Sequence, residues 1–155
     1  MRRYTCRNAF TLIEVLIVVI IMAVLAATII PQFSSSTNDA KDSSLKFNLH
    51  TIRSQIEMYK VHHLGKAPEM PETKFIDQMT KKTKADGSVG TDATFIYGPY
   101  FQGQVPVNPF NGLSTLAATA ATTETEAKAA VTGAAGWLYN ATTGDFFPDY
   151  AGYYK

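Results

Sequence analysis

A chain of 155 residues with a formal net charge of +1 suits one modest domain plus an appendage, and that balance gives no reason to expect nucleic acid or an acidic surface as partner. The charge is unevenly spread: Arg2, Arg3 and Arg7 lie in the first nine residues, so the rest from Phe10 onward is net −2. A single cysteine, Cys6, excludes a disulfide within the chain, so packing or neighbours must hold an exported domain of this size.

From Phe10 to Ile30 the chain is apolar for 21 residues, with Glu14 as its only charge. As a helix this segment is about 32 Å long at about 1.5 Å per residue, which matches a hydrocarbon core of about 30 Å. Three arginines precede the span, whereas the next basic residue, Lys41, sits between Asp39 and Asp42. The positive-inside bias therefore predicts a cytoplasmic Met1 with the bulk of the chain on the far side. The competing reading is a cleaved secretory signal with a cut site around Ala26 and Ala27. Two features count against it: the acidic residue in the apolar core, and a helical pattern that continues past the cut without a break.

"AFTLIEVLIVVIIMAVLAATIIPQF", Ala9 to Phe33, closely resembles the start of type IV pilins and type II secretion pseudopilins. The resemblance implies that a prepilin peptidase cuts between Ala9 and Phe10 and that the new Phe10 amine is N-methylated. It also implies that Glu14 is the acidic assembly residue and Pro31 the helix-bending proline. Ala9 departs from the glycine usual before the cut, and Ala23 from a glycine common in pilins. Three roles for Glu14 stand side by side: snorkelling toward the nearby interface, a pair with the chain's own Phe10 amine four residues back, or a pair with the Phe10 ammonium of a neighbouring subunit. The last would reward one register of assembly, because each charge is otherwise uncompensated in low dielectric.

Beyond Phe33 the chain is polar but helix-compatible. Leu45, Leu49, Ile52, Ile56 and Tyr59 trace one amphipathic face, while Arg53, Glu57 and Lys60 fall on a solvated one. Gly65 and Pro68 predict a stop. A helix over Phe10–Leu64 would be about 82 Å long, bent where Pro31 removes a hydrogen bond, and its apolar stripe requires a C-terminal head as cover. Pro71 is suited to open a short second helix carrying Phe75, Ile76 and Met79. Lys81, Lys82 and Lys84 at its end are explained by the helix dipole without invoking nucleic acid.

"TFIYGPYFQGQVPVNPFNG" (94–112) reads as an irregular, aromatic-rich loop over the stalk, since its prolines exclude a central strand. The stretch 114–135 is Ala/Thr-rich and low in complexity; it reads either as a surface loop or as one short helix capped by Thr123 with Glu126 and ending near Gly133. "GWLYNATTGDFFPDY" predicts a hairpin, Trp137–Tyr139 against Asp145–Phe147, with Gly144 taking a positive φ. This hairpin, with "YGPYF" and "PVNPFNG", resembles the major, G-type pseudopilins of type II secretion. Members of that group often bind calcium in the C-terminal loop, but Asp145 and Asp149 are too few for a cage of six to eight oxygens without help, so no cofactor is expected.

The predicted fold is α+β and pilin-like: a long N-terminal helix packed against a small head with a short helix and an antiparallel hairpin. Its parts are a basic leader at 1–9, an assembly helix at 10–33, a stalk at 34–65 and a head at 66–155 with an Ala/Thr-rich loop at 114–135. No enzymatic constellation assembles: His50, His62 and His63 are poorly spaced for a metal, and Asn140-Ala-Thr is only a common glycosylation triplet. The resemblance implies a filament subunit of a type II secretion pseudopilus, seated in the bacterial inner membrane with a periplasmic head. Its partners would be identical subunits, the prepilin peptidase, minor pseudopilins and an assembly platform. A surface type IV pilus subunit is the sibling reading; a tethered or secreted ligand-binding module is the reading from another class.

Overall fold

The computed structural model describes residues 10–154, without the side chains of Pro31 and Ser34. Two compact units divide the chain, Met1–Ala40 and Lys41–Lys155. Helix α1 spans Leu12–His62 and is continuous through Pro31. In the first unit every side chain from Phe10 to Ile30 is exposed, and α1 is long and apolar enough to cross a membrane. The break between units falls after Ala40. "SSSTNDA" (34–40) offers no large apolar side chain for burial, and the first buried side chain of α1 among the described residues is Leu45.

The second unit forms around the predicted stripe. Leu45, Leu49, Ile52, Ile56 and Tyr59 of α1 are buried with Phe75 and Met79 of α2 (Glu72–Thr80) and with Trp137, Tyr139 and Phe146. Pro71 is the residue before α2 rather than its first. Helix α1 stops two residues short of the predicted Leu64. The Gly65 N–H reaches back to the Lys60 carbonyl at 2.8 Å, and Leu64 adopts a left-handed φ of 58°, which gives the wrapped C-terminus usually built on glycine.

Two small sheets follow. Strand β1 (Lys82–Thr83) pairs antiparallel with β2 (Val89–Gly90). The second sheet has the order β3-β4-β5, from Leu116–Ala118, Trp137–Tyr139 and Phe146–Pro148. The β4–β5 hairpin is antiparallel in the register Leu138↔Phe147, one residue beyond the predicted second strand. Its turn closes through Gly144 N–H on the Asn140 carbonyl at 2.8 Å, with Gly144 at φ +86°.

Strand β3 corrects the sequence reading twice. It makes 114–135 more than a loop, and it lies parallel to β4, so the sheet is mixed rather than purely antiparallel. "LAA" carries little strand propensity, and the pairing comes from its seat beside the aromatic β4. The same stretch holds α3, Glu124–Ala130, with the Thr123 hydroxyl accepting from Glu126 N–H at 3.3 Å. The reciprocal arm is displaced by one residue: the Glu126 carboxylate accepts from Thr122 N–H at 2.8 Å. With both faces covered, the sheet buries Trp137, Tyr139 and Phe146 toward α1 and α2, and Leu138 and Phe147 toward Ala127 and Tyr154.

Arg53 and Lys60 are a further departure from the solvated face predicted for them. The Arg53 Nε–H donates to the Phe146 carbonyl at 2.9 Å, and Lys60 Nζ donates to the Thr143 carbonyl at 3.2 Å. Their long apolar stems lie along the core while their heads reach hairpin carbonyls.

Candidate assembly site

Phe10 lies just ahead of α1 and Glu14 falls in its first turn. Phe10 is 84% exposed and α1 begins two residues later. Thr11 occupies the N-cap and Glu14 the third helical position, which is the arrangement of a capping box. The Glu14 Oε2 accepts from the Thr11 N–H at 2.8 Å and from the Thr11 hydroxyl at 2.7 Å, while the Glu14 N–H donates to Thr11 Oγ1 at 3.3 Å. Both side-chain bonds fall on one carboxylate oxygen. The negative charge also lies against the positive end of the helix dipole.

This role differs from all three drawn from the sequence. The signal was present as "TLIE", a Thr-x-x-Glu pattern ahead of an apolar run, but the apolar run drew attention to insertion instead. The box satisfies two backbone donors that have no helical partner. Thr28 follows the same logic, its hydroxyl donating to the Leu25 carbonyl at 3.0 Å. Ala9, on the leader side of the predicted cut, lies outside the described residues. Pro31 lies within α1.

Residues 5–30 match the family model described as "Prokaryotic N-terminal methylation motif". The N-terminus is prepilin-like. The chain is also 38% identical over 59 residues to the Type II secretion system core protein G of Pseudomonas aeruginosa, a match spanning 38% of this chain and 42% of that protein. The chain thus matches less than half the length of this curated relative. No solved structure matches. Together with a long N-terminal helix and a small mixed α/β region, the prepilin-like N-terminus makes the fold pilin-like α+β.

The other sequence candidates have structural duties. Asn140 is buried; its amide donates to the Ala121 carbonyl at 3.1 Å and its Oδ1 accepts from Thr142 N–H at 2.9 Å. It therefore holds the hairpin turn and is shielded from glycan transfer. Lys81 pairs with Asp77 at 2.8 Å, and the Lys84 ammonium sits 4.4 Å from the centre of the Phe95 ring. No group of three or more metal-ligating side chains gathers among the described residues.

His62 and His63 diverge as expected. His62 Nδ1 is 2.9 Å from the Tyr100 hydroxyl, whereas His63 is fully buried and stacked on Tyr59. His63 Nδ1 lies 2.7 Å from the Tyr59 carbonyl and Nε2 lies 2.9 Å from Thr83 Oγ1. A carbonyl only accepts, so Nδ1 carries the proton and Nε2 of the neutral ring accepts from Thr83. Burial holds the His63 pKa below its ordinary 6.5, against the Tyr59 carbonyl bond that favours protonation. The folded state therefore binds a proton less readily than the unfolded chain. Its advantage is complete above pH 6.5 and is lost as pH falls from there toward the lower folded value. Thermal midpoints of the wild type should drop between about pH 7 and pH 5, and His63→Gln should flatten that slope; parallel curves for the two chains would remove His63 as the cause.

Proposed function

We propose that this chain is a structural subunit of a type II secretion pseudopilus, of the major G-like kind. The observation that carries the reading is the methylation motif over residues 5–30, which ends where the exposed apolar span ends. In this reading the precursor enters the bacterial inner membrane with its N-terminus in the cytoplasm and its head in the periplasm. Prepilin peptidase cuts between Ala9 and Phe10, leaving the apolar helix on the mature chain, and the Phe10 amine is methylated. Identical subunits then pack through α1, Glu14 of one facing the Phe10 ammonium of the next, with α1 bending at Pro31. An assembly platform and minor pseudopilins drive and cap the filament, which pushes exported proteins outward. The chain's work is mechanical rather than catalytic.

Support also comes from the exposed aliphatic side chains of 12–30, far more apolar surface than a soluble monomer leaves uncovered. Mass spectrometry of the chain recovered from membranes tests the reading. A mature protein beginning at N-methylated Phe10 is the expected result. A chain beginning near Ala27 or Thr28 would make the apolar run an ordinary signal and sink the proposal. Deleting the gene separates the two filament systems, since loss of secretion marks a pseudopilus and loss of surface fibres a pilus.

A further inference from the structure

The turn and strand ends around Asp149 are where resemblance to G-type pseudopilins leads one to look for calcium. The groups there are already satisfied by donors of the chain itself. Asp149 is fully buried. Its Oδ1 accepts from Thr132 N–H at 2.7 Å and Gly133 N–H at 2.9 Å. Its Oδ2 accepts from the Thr132 hydroxyl and from Ala135 N–H, both at 3.0 Å. Two backbone donors on one oxygen and a mixed pair on the other occupy the lone pairs that a cation would need.

The neighbouring carbonyls are occupied too. Asn108 Nδ2 donates to the Gly136 carbonyl at 2.9 Å, and Asn111 Nδ2 to the carbonyls of Ala135 at 2.7 Å and Asp149 at 3.3 Å. Trp137 Nε1 takes the Pro106 carbonyl at 2.8 Å. Asp145 lies four residues away, about 13 Å along an extended chain, far outside a shell of 2.3–2.6 Å ligand distances, and its carboxylate accepts from the Thr143 hydroxyl. The backbone is also close-packed beside it: a side-chain carbon on Gly136 would stand 2.2 Å from the Leu113 carbonyl oxygen. The residues present do not fit a calcium ion.

We propose that the C-terminal region is closed by an anion, the Asp149 carboxylate seated on the N–H groups of Thr132, Gly133 and Ala135, so that its stability is indifferent to calcium. The electrostatics agree with the geometry. Burial works against the ionised carboxyl, but the Gly133, Ala135 and Thr132 donors outweigh it and hold the pKa below the ordinary carboxylate value. Asp149 thereby ties the end of β5 to the segment that leads into β4. The inference concerns how the head is held, and its failure would leave the reading of the N-terminal motif untouched.

The test uses the full chain in detergent micelles, with unfolding followed by the fluorescence of Trp137, the only tryptophan. Midpoints in EGTA and in millimolar calcium chloride should coincide; a rise with calcium overturns the proposal. Asp149→Asn should lower the midpoint by at least about 4 °C in both buffers, and a wild-type midpoint for that variant overturns it equally. Should Asp149→Asn not fold, Thr132→Val carries the decision, since it deletes one of the four donors and keeps the charge. A lower midpoint in both buffers supports the anion-centred closure. An unchanged midpoint, or one that calcium restores, refutes it.

Discussion

In the proposed filament, chains carrying Glu14→Gln should insert, be cut and be methylated like the wild type, yet enter mixed filaments at least about a hundredfold less often. The size follows from what the substitution leaves behind. Removing one member of a buried ion pair strands the other charge, at a cost of about 3–5 kcal/mol, and about 1.4 kcal/mol is a factor of ten. The choice of glutamine follows from the first turn of α1. Glutamine can still accept from Thr11 as the far arm of a capping box, so the helix start survives and only the charge is lost. Thr11→Val supplies the converse, keeping the charge while loosening the cap at a cost of about 1 kcal/mol. Quantifying each variant in sheared filaments against its abundance in membranes reads the outcome. Equal incorporation of Glu14→Gln and wild type would show that the charge does not set assembly. A larger loss with Thr11→Val than with Glu14→Gln would make the cap, not the pair, the function of Glu14.

Trp137→Ala is expected to be the most damaging single change in the head. The indole is fully buried among Phe146 and the α1 stripe, and truncating such a side chain costs about 3–5 kcal/mol. It also removes the donor to the Pro106 carbonyl, leaving an acceptor whose desolvation is no longer offset, for a further 1–3 kcal/mol or so. Against a total stability of about 5–15 kcal/mol for a domain, the variant should be largely unfolded near physiological temperature. Near-UV circular dichroism and limited proteolysis of the full chain report this directly. A variant that keeps the wild-type midpoint would mean that the centre of the head lies elsewhere.

The parts of the fold that were legible are those where side-chain pattern and backbone agree. The spacing of Leu45, Leu49, Ile52, Ile56 and Tyr59 gave a helix face because burial on one side leaves that period. The hairpin was visible because aromatic pairs flank a turn that needs Gly144. Strand β3 was hidden, since three small residues become a strand only through the partner beside them. The duties of Arg53 and Lys60 were hidden for a different reason: charge reads as solvation, while reach to a distant carbonyl leaves no mark in sequence. In the candidate assembly site, Phe10 and Glu14 stand out through the family resemblance, whereas Thr11 does not, because its partner lies within the same turn. Asp149 reads in sequence as a candidate cation ligand. Three of its four donors are backbone N–H groups, which every residue but proline owns and which no composition reveals.

Strand β5 lies at the edge of its sheet, and exposed edges invite strand addition from other molecules. The Asn140 N–H on the Asp145 carbonyl and the Asp149 N–H on the Gly136 carbonyl turn those residues toward β4, so Phe146 and Pro148 present their backbone groups outward. Arg53 takes the Phe146 carbonyl and the Tyr154 hydroxyl takes that of Pro148, while proline has no N–H to offer. Crowded copies of this head therefore meet an edge whose outward carbonyls are already bonded and whose proline cannot donate. At this edge, association through a growing cross-β ladder, which comes apart only with difficulty, is disfavoured.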